Sequence, residues 1–422
     1  DDGSALGQEP WERVVPHFEP QILARTLRTR QFEFHPTMPE LMLIGDKKGS
    51  VNVLDTESDG LHPALTVGTC PLLGLVWMRH HPHVAVCGAS HSGEIVFLRY
   101  DPSVLPTEPV LQMQESVEGF PKLSSLSANC TDDFMLASGI SPNIFVYDVH
   151  TGKVVHRAHG VHDHFINISR FSHTSPHIFA TASFDHTCKV WDLRQPMLHD
   201  RPIKTLNTGG HNVMCVFSPD DRRILCSGVD TRIIQYDVPS WRQSPDHFPL
   251  RAPVHRERYR RSTYLADAGH FVTAATEESH MHVMSTEGEK LGVVNFRGVV
   301  RNWGEAHPAG EAERVRAGDN AQRRAAGPGR SPSRRFLAGL RQDGRAMGHD
   351  ASHGHKGKAG RSLLRGVIKL DDADPNGGSS RNNHEFVQSI RAHPVVTNRI
   401  GVLLSLTQGE TSYVALVDLH CQ

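Results

Sequence analysis

The chain lacks most of the signals that mark an enzyme, a membrane protein or a secreted one. Its seven cysteines, at 70, 87, 130, 188, 215, 226 and 421, are odd in number, widely spaced and without a CxxC pair. That pattern argues against a disulfide framework and a zinc ribbon, and it suits reduced packing residues of an intracellular protein. No apolar run approaches the roughly 20 residues of a membrane-spanning helix, so a membrane is not an expected partner. Neither sign of charge dominates: the formal net charge is −1, and any case for an acidic or basic partner has to rest on local patches. A G-x-S-x-G nucleophile elbow is absent, and the Gly-Lys stretch at 354–362 has the wrong spacing for a phosphate loop. The start, Asp1-Asp2-Gly3-Ser4, has no charged-then-apolar signal pattern, and without an initiator Met it reads as a truncated or processed start.

What is present is a period. Each unit runs as an apolar strand ending near His-Pro or Ser-Pro, a strand of small residues, a turn, and a strand with an aromatic or aliphatic anchor. The anchor-plus-one positions are Asp55, Arg99, Asp148, Asp192, Asp237, Ser285 and Asp418, with successive spacings of 44, 49, 44, 45 and 48 and then a gap of 133. A period of about 40–45 residues is that of the WD repeat, four strands per blade. The expected fold is therefore all-β, a seven-bladed β-propeller, and 422 residues fit one such closed unit.

The long gap falls on residues 301–380, rich in Gly, Ala, Arg, Pro, Ser and His; between 301 and 366 there are fourteen Lys and Arg against six Asp and Glu. Such a stretch buries too little apolar surface to offset its ordering entropy and reads as a disordered basic insertion or a processing artefact, with 363–370 as its one strand candidate. The expected organisation is a segment 1–29 supplying a closing strand, blades one to six over 30–300, the insertion over 301–380, and a seventh blade over 381–422. That last blade has only three strands of its own, so 22–28 is the expected donor of its outer strand. The competing reading of 22–28 is a helix.

Residues 178–194 hold the sharpest signal. Ile178, Phe179 and Ala180 lead into Thr181, Ala182 and Ser183; Asp185 and His186 turn; and the return strand ends Trp191-Asp192-Leu193-Arg194. The hairpin resembles a WD repeat, which implies structural roles for Thr181, Ser183, Asp185 and Trp191. With Arg two places after the Asp, it also resembles the DWD box of WD-repeat proteins that serve as substrate receptors of cullin-4 ubiquitin ligases. The wider pattern, including Phe34-His35-Pro36-Thr37 and Phe217-Ser218-Pro219-Asp220, is similar to the small subunit of the damage-specific DNA-binding protein and to plant DWD proteins of ultraviolet-B responses. The resemblance implies adaptor binding through Asp192, Leu193 and Arg194, the adaptor being the large subunit of the damage-specific DNA-binding protein. It further implies an unidentified target protein; the expected location is the nucleus and also the cytoplasm, and with no catalytic motif present no catalysis is expected in this chain.

A second patch is local. In 254–261, six of eight residues can carry charge, and Arg256, Arg258, Tyr259, Arg260 and Arg261 read as a loop for a target protein or for nucleic acid. A general scaffold without a ligase link is the remaining alternative. The histidines, 29 in all, include His162 with His164 and His280 with His282, but pairs without carboxylate or Cys company give no metal site. No cofactor is expected.

Overall fold

A computed structural model describes residues 20–57, 60–195, 201–229, 232–244, 248, 259–275, 278–306, 385–406 and 411–419. These residues form seven antiparallel sheets. The first strands of the sheets, Thr29–Phe34, Leu72–Trp77, Leu123–Ala128, Ile166–Phe171, Asn212–Phe217, Arg260–Tyr264 and Glu385–Ala392, pack each against the next, and the last returns to the first. The result is a closed seven-bladed propeller. Its core is a series of layers between blades rather than one mass, because every sheet is covered on both faces. The second strand of each blade is therefore buried nearly throughout, as in Val84–Ala89, buried at every position, where a half-exposed strand would alternate.

Blade four is continuous in sequence, with strands Ile166–Phe171, Ile178–Ser183, Thr187–Asp192 and Lys204–Asn207. Its central hairpin turns through His186 in the left-handed region (φ 71). Blade seven is assembled from both ends of the described chain. Pro20–Leu27 pairs antiparallel with Thr411–Asp418, Ile22 opposite Ala415, and Thr26 Oγ1 donates to the Ser412 carbonyl at 3.2 Å across 386 positions. Residues 20–27 are thus a strand and not a helix. The backbone edge of Thr411–Asp418 would otherwise have no partner on this side.

One boundary differs from the sequence reading. The chain stays ordered past 301 in a short helix, Val299–Ala306, because Val300 is buried in the core beside Ile22 and Tyr413, and the Trp303 ring meets Tyr413 edge-on at 5.9 Å. The rest of the basic segment, with its strand candidate 363–370, lies outside the described residues, as do Arg256 and Arg258.

Each first strand ends with a backbone N–H that bonds the start of the second strand, as in Ser172 N to Ile178 O at 2.9 Å. Two residues before that point, the blades present Glu33, Val76, Ser127, Arg170, Val216, Thr263 and Arg391, and all seven line one axial cavity of 590 Å³.

Candidate partner-binding face and the network behind it

Behind the hairpin of blade four lies a buried polar chain. Trp191 Nε1–H donates to Thr181 Oγ1 at 2.9 Å, Thr181 Oγ1 lies 2.7 Å from His162 Nε2, and His162 Nδ1 lies 2.7 Å from Asp185 Oδ2. Burial alone would raise the Asp185 carboxyl, but hydrogen bonds from His162 and Thr187 overcome it and hold that group far below the usual carboxylate range. Burial also lowers His162. An ionised Asp185 and a neutral imidazole fix the tautomer: Nδ1–H donates to Asp185, and Nε2 accepts from the Thr181 hydroxyl. Ser183 Oγ donates to the Phe165 carbonyl at 2.9 Å and receives the Asp185 N–H at 3.1 Å. The four residues assigned to the blade's structure are brought together here, and His162 joins them.

At the other end of the same hairpin, Asp192 and Arg194 form a unit. Arg194 N–H donates to Asp192 Oδ1 at 3.0 Å, its Nε–H to the same oxygen at 2.9 Å, and Nη2 to Oδ2 at 2.8 Å. The guanidinium hydrogen bonds, then its charge, hold Asp192 below the ordinary carboxylate range. The Arg194 side chain is 65% exposed. Its Nη1 makes no hydrogen bond among the described residues. The corresponding positions elsewhere, Glu57, His150 and Pro239, offer no guanidinium.

Leu193 does not share that surface. It is buried (7% exposed) among Phe171, Phe179 and Trp191, and its N–H bonds the His177 carbonyl at 2.9 Å. Its assignment as a contact residue is corrected, because in the turn after Asp192 this side chain packs inward against Phe171, Phe179 and Trp191. Asp192 is also mostly buried and acts through Arg194.

The arginine-rich loop needs a larger correction. Arg260 and Arg261 belong to the first strand of blade six, opposite Ala275 and Ala274. Arg260 is buried, with Nη2 3.5 Å from the Glu278 carboxylate, so it cannot meet a partner. Tyr259 is half-buried and stacks on Phe184 at 6.1 Å. Arg261 is half-buried and stands two residues before Thr263, which lines the axial cavity. The loop reading is left with Arg256 and Arg258.

Two sets of residues have the composition of a metal site. Cys188, Cys215 and Cys226 bring their sulfurs within 4.8 Å of one another between blades four and five, but they sit among Ile168, Val190 and Ile224, and burial keeps the Cys188 thiol well above its usual range. Both nitrogens of His162, the nearby imidazole, are already bonded to Asp185 and Thr181. Glu278, His280 and His282 also converge, yet the Glu278 carboxylate already faces Arg260, and burial drives His282 down to about 3. Neither set argues for a bound cation.

The comparisons with known proteins agree with the geometry. The family model described as "WD domain, G-beta repeat" matches residues 152–192 and 200–237, each span holding the outer strand of one blade (Lys153–Ala158, Lys204–Asn207) followed by the first three strands of the next. The chain contains WD repeats. It is 33% identical over 274 residues to Protein DWD HYPERSENSITIVE TO UV-B 1 of Arabidopsis thaliana, covering 64% of this chain and 35% of that relative. It is also 32% identical over 85 residues to Ribosome biogenesis protein WDR12 homolog of Nematostella vectensis, 20% of each chain. This WD-repeat chain therefore spans about a third of the length of the first of these relatives.

Proposed function

We propose that this propeller is a substrate receptor of a cullin-4 ubiquitin ligase, gripping the ligase adaptor with Arg194 and holding a target protein on the opposite face. The observation that carries the reading is the Asp192–Arg194 unit. A guanidinium is planar, permanently charged and rich in donors, so one Arg anchored by a neighbouring carboxylate can present its free edge to several acceptors at little entropic cost. The similarity to a relative whose name records a DWD motif supports it. In this reading the ligase supplies catalysis in trans, the protein works in the nucleus, and its target belongs to an ultraviolet or DNA-damage response. Arg256 and Arg258, which precede blade six in the sequence, are the candidate target contacts.

Affinity purification of the tagged chain from cells, followed by identification of what accompanies it, tests the proposal. The adaptor and cullin-4 should co-purify with the parent protein and be lost with Arg194→Ala. A folded parent that brings down neither would be a scaffold without a ligase link. Salt-sensitive capture of duplex DNA in their place would favour the nucleic-acid reading.

A further inference from the structure

The axial channel has an electrostatic problem that the ligase reading leaves unsolved. Of the seven residues lining its cavity at one level, three are charged: Arg170, Arg391 and Glu33. Arg261 stands two residues before Thr263 on an unbulged strand, so it faces the same channel one level deeper. The three guanidiniums act on one another, Arg261 with Arg391 and Arg170, and Arg170 with Arg391. Protein surrounds them, and burial pushes Arg261 down to about 9 and Arg170 down to about 10. Guanidinium does not give up its proton in proteins, so such a cluster calls for negative charge.

The protein's own groups supply only part of it. Arg391 is well served: Nε donates to Glu33 Oε2 at 3.0 Å, Nη1 to the Ile390 carbonyl at 3.0 Å, and Nη2 reaches Gln31 Oε1 at 3.4 Å. Arg170 Nη1 donates to the Leu126 carbonyl at 2.6 Å. For Arg261 no acceptor meets the buried Nε among the described residues. Arg170, Arg261 and Arg391 share the single carboxylate of Glu33, Arg30 adds its positive charge at Arg261, and the buried Arg261 Nε has no acceptor among the described residues.

We propose that the axial channel binds a small phosphate-bearing molecule, with a phosphate group seated between Arg170, Arg261 and Arg391. A dianionic phosphate neutralises the excess charge, and its oxygens suit the planar forks of guanidiniums that come from three separate blades. The cavity volume of 590 Å³ is that of a small-molecule site and far too confined for a duplex.

The test is thermal unfolding and calorimetric titration of the full chain with inorganic phosphate and with inositol hexakisphosphate, at ionic strength matched by sodium chloride. Both probes should raise the melting temperature where chloride does not. Arg261→Gln should weaken their binding by about tenfold or more while leaving the ligand-free protein no less stable, because it removes one charge from a cluster of like charges. Should that variant not fold, Arg261→Lys keeps the charge without the fork and should bind more weakly than the parent. A probe effect that survives Arg261→Gln or Arg261→Lys unchanged, no effect of either probe on the parent, or displacement of the bound probe by duplex DNA would each overturn the proposal.

Discussion

Blades four and seven solve the same structural problem with different chemistry. In blade four the inner layer is the chain Trp191, Thr181, His162 and Asp185, in which each hydrogen bond fixes the next. In blade seven the register places Val402 and Val417 where blade four has Thr181 and Trp191, and both valines are fully buried. The strand-ending aspartates diverge in the same way. Asp192 is held by Arg194 two residues on, leaving a guanidinium in solvent, whereas Asp418 is taken by Arg399 across the strand pair at 2.6 and 2.9 Å. Blade seven is held by aliphatic packing and a borrowed strand, so it depends on a distant part of the chain; blade four depends on local polar groups, so it depends on pH. Of the two arginines that hold these aspartates, Arg194 is the more exposed, 65% against 34% for Arg399.

The largest effect should come from removing the borrowed strand. Deleting residues 1–28 exposes the edge of Thr411–Asp418 and strips Ile22, Leu23 and Ala24 from the core, so the cooperative thermal transition should disappear rather than shift. A truncated protein that melts like the parent would show that closure is dispensable. Next in size, Trp191→Ala removes a fully buried ring and the donor to Thr181, and should cost about 3–5 kcal/mol in denaturant unfolding. The equivalent change in blade seven, Val417→Ala, removes far less surface and should cost only about 1–3 kcal/mol.

The pH dependence separates the blades further. The folded state lowers His162 below its ordinary 6.5, so below that pH the unfolded chain binds more protons. Stability contributed by a neutral His162 is therefore complete above pH 6.5 and is lost as pH falls toward the folded-state value, with a slope of up to about 1.4 kcal/mol per pH unit for one proton. His35, His282 and His393 are lowered by burial too, so the measurement is the difference between parent and His162→Gln. The variant should show a flatter loss between pH 6.5 and 5, and parallel curves would mean the imidazole is not neutral in the fold. Asp185 acts with the same sign at lower pH: its contribution is present above about 4 and is lost on further acidification. The smallest effect belongs to Arg399→Ala. That pair is about a third exposed or more on each side, and screening limits it to about 1 kcal/mol or less.

The parts of this account that were legible in the sequence are the local and repeated ones. The period, the hairpin at 178–194 and the donor strand could be read because each is written in contiguous residues. His162 was seen only as one of many histidines, since it lies 19 positions from Thr181 and 23 from Asp185; a His placed just before the first strand of the best WD repeat was the signal that singles it out. Leu193 was misassigned because a linear motif does not say which way a side chain turns. Arg260 and Arg261 were misassigned because charges at a strand's start look like a loop. Their true surroundings, Glu278 on one side and an axial ring built from several blades on the other, exist only after the propeller closes.

The most direct test of the central claim is the affinity of the purified chain for the purified adaptor, measured by calorimetry for the parent, Arg194→Ala and Arg194→Lys. All three should melt alike, since the side chain is exposed and among the described residues bonds only Asp192. Arg194→Ala should bind at least about tenfold more weakly, with Arg194→Lys between the two because it keeps the charge without the fork. Equal affinity of the folded parent and Arg194→Ala would contradict the claim.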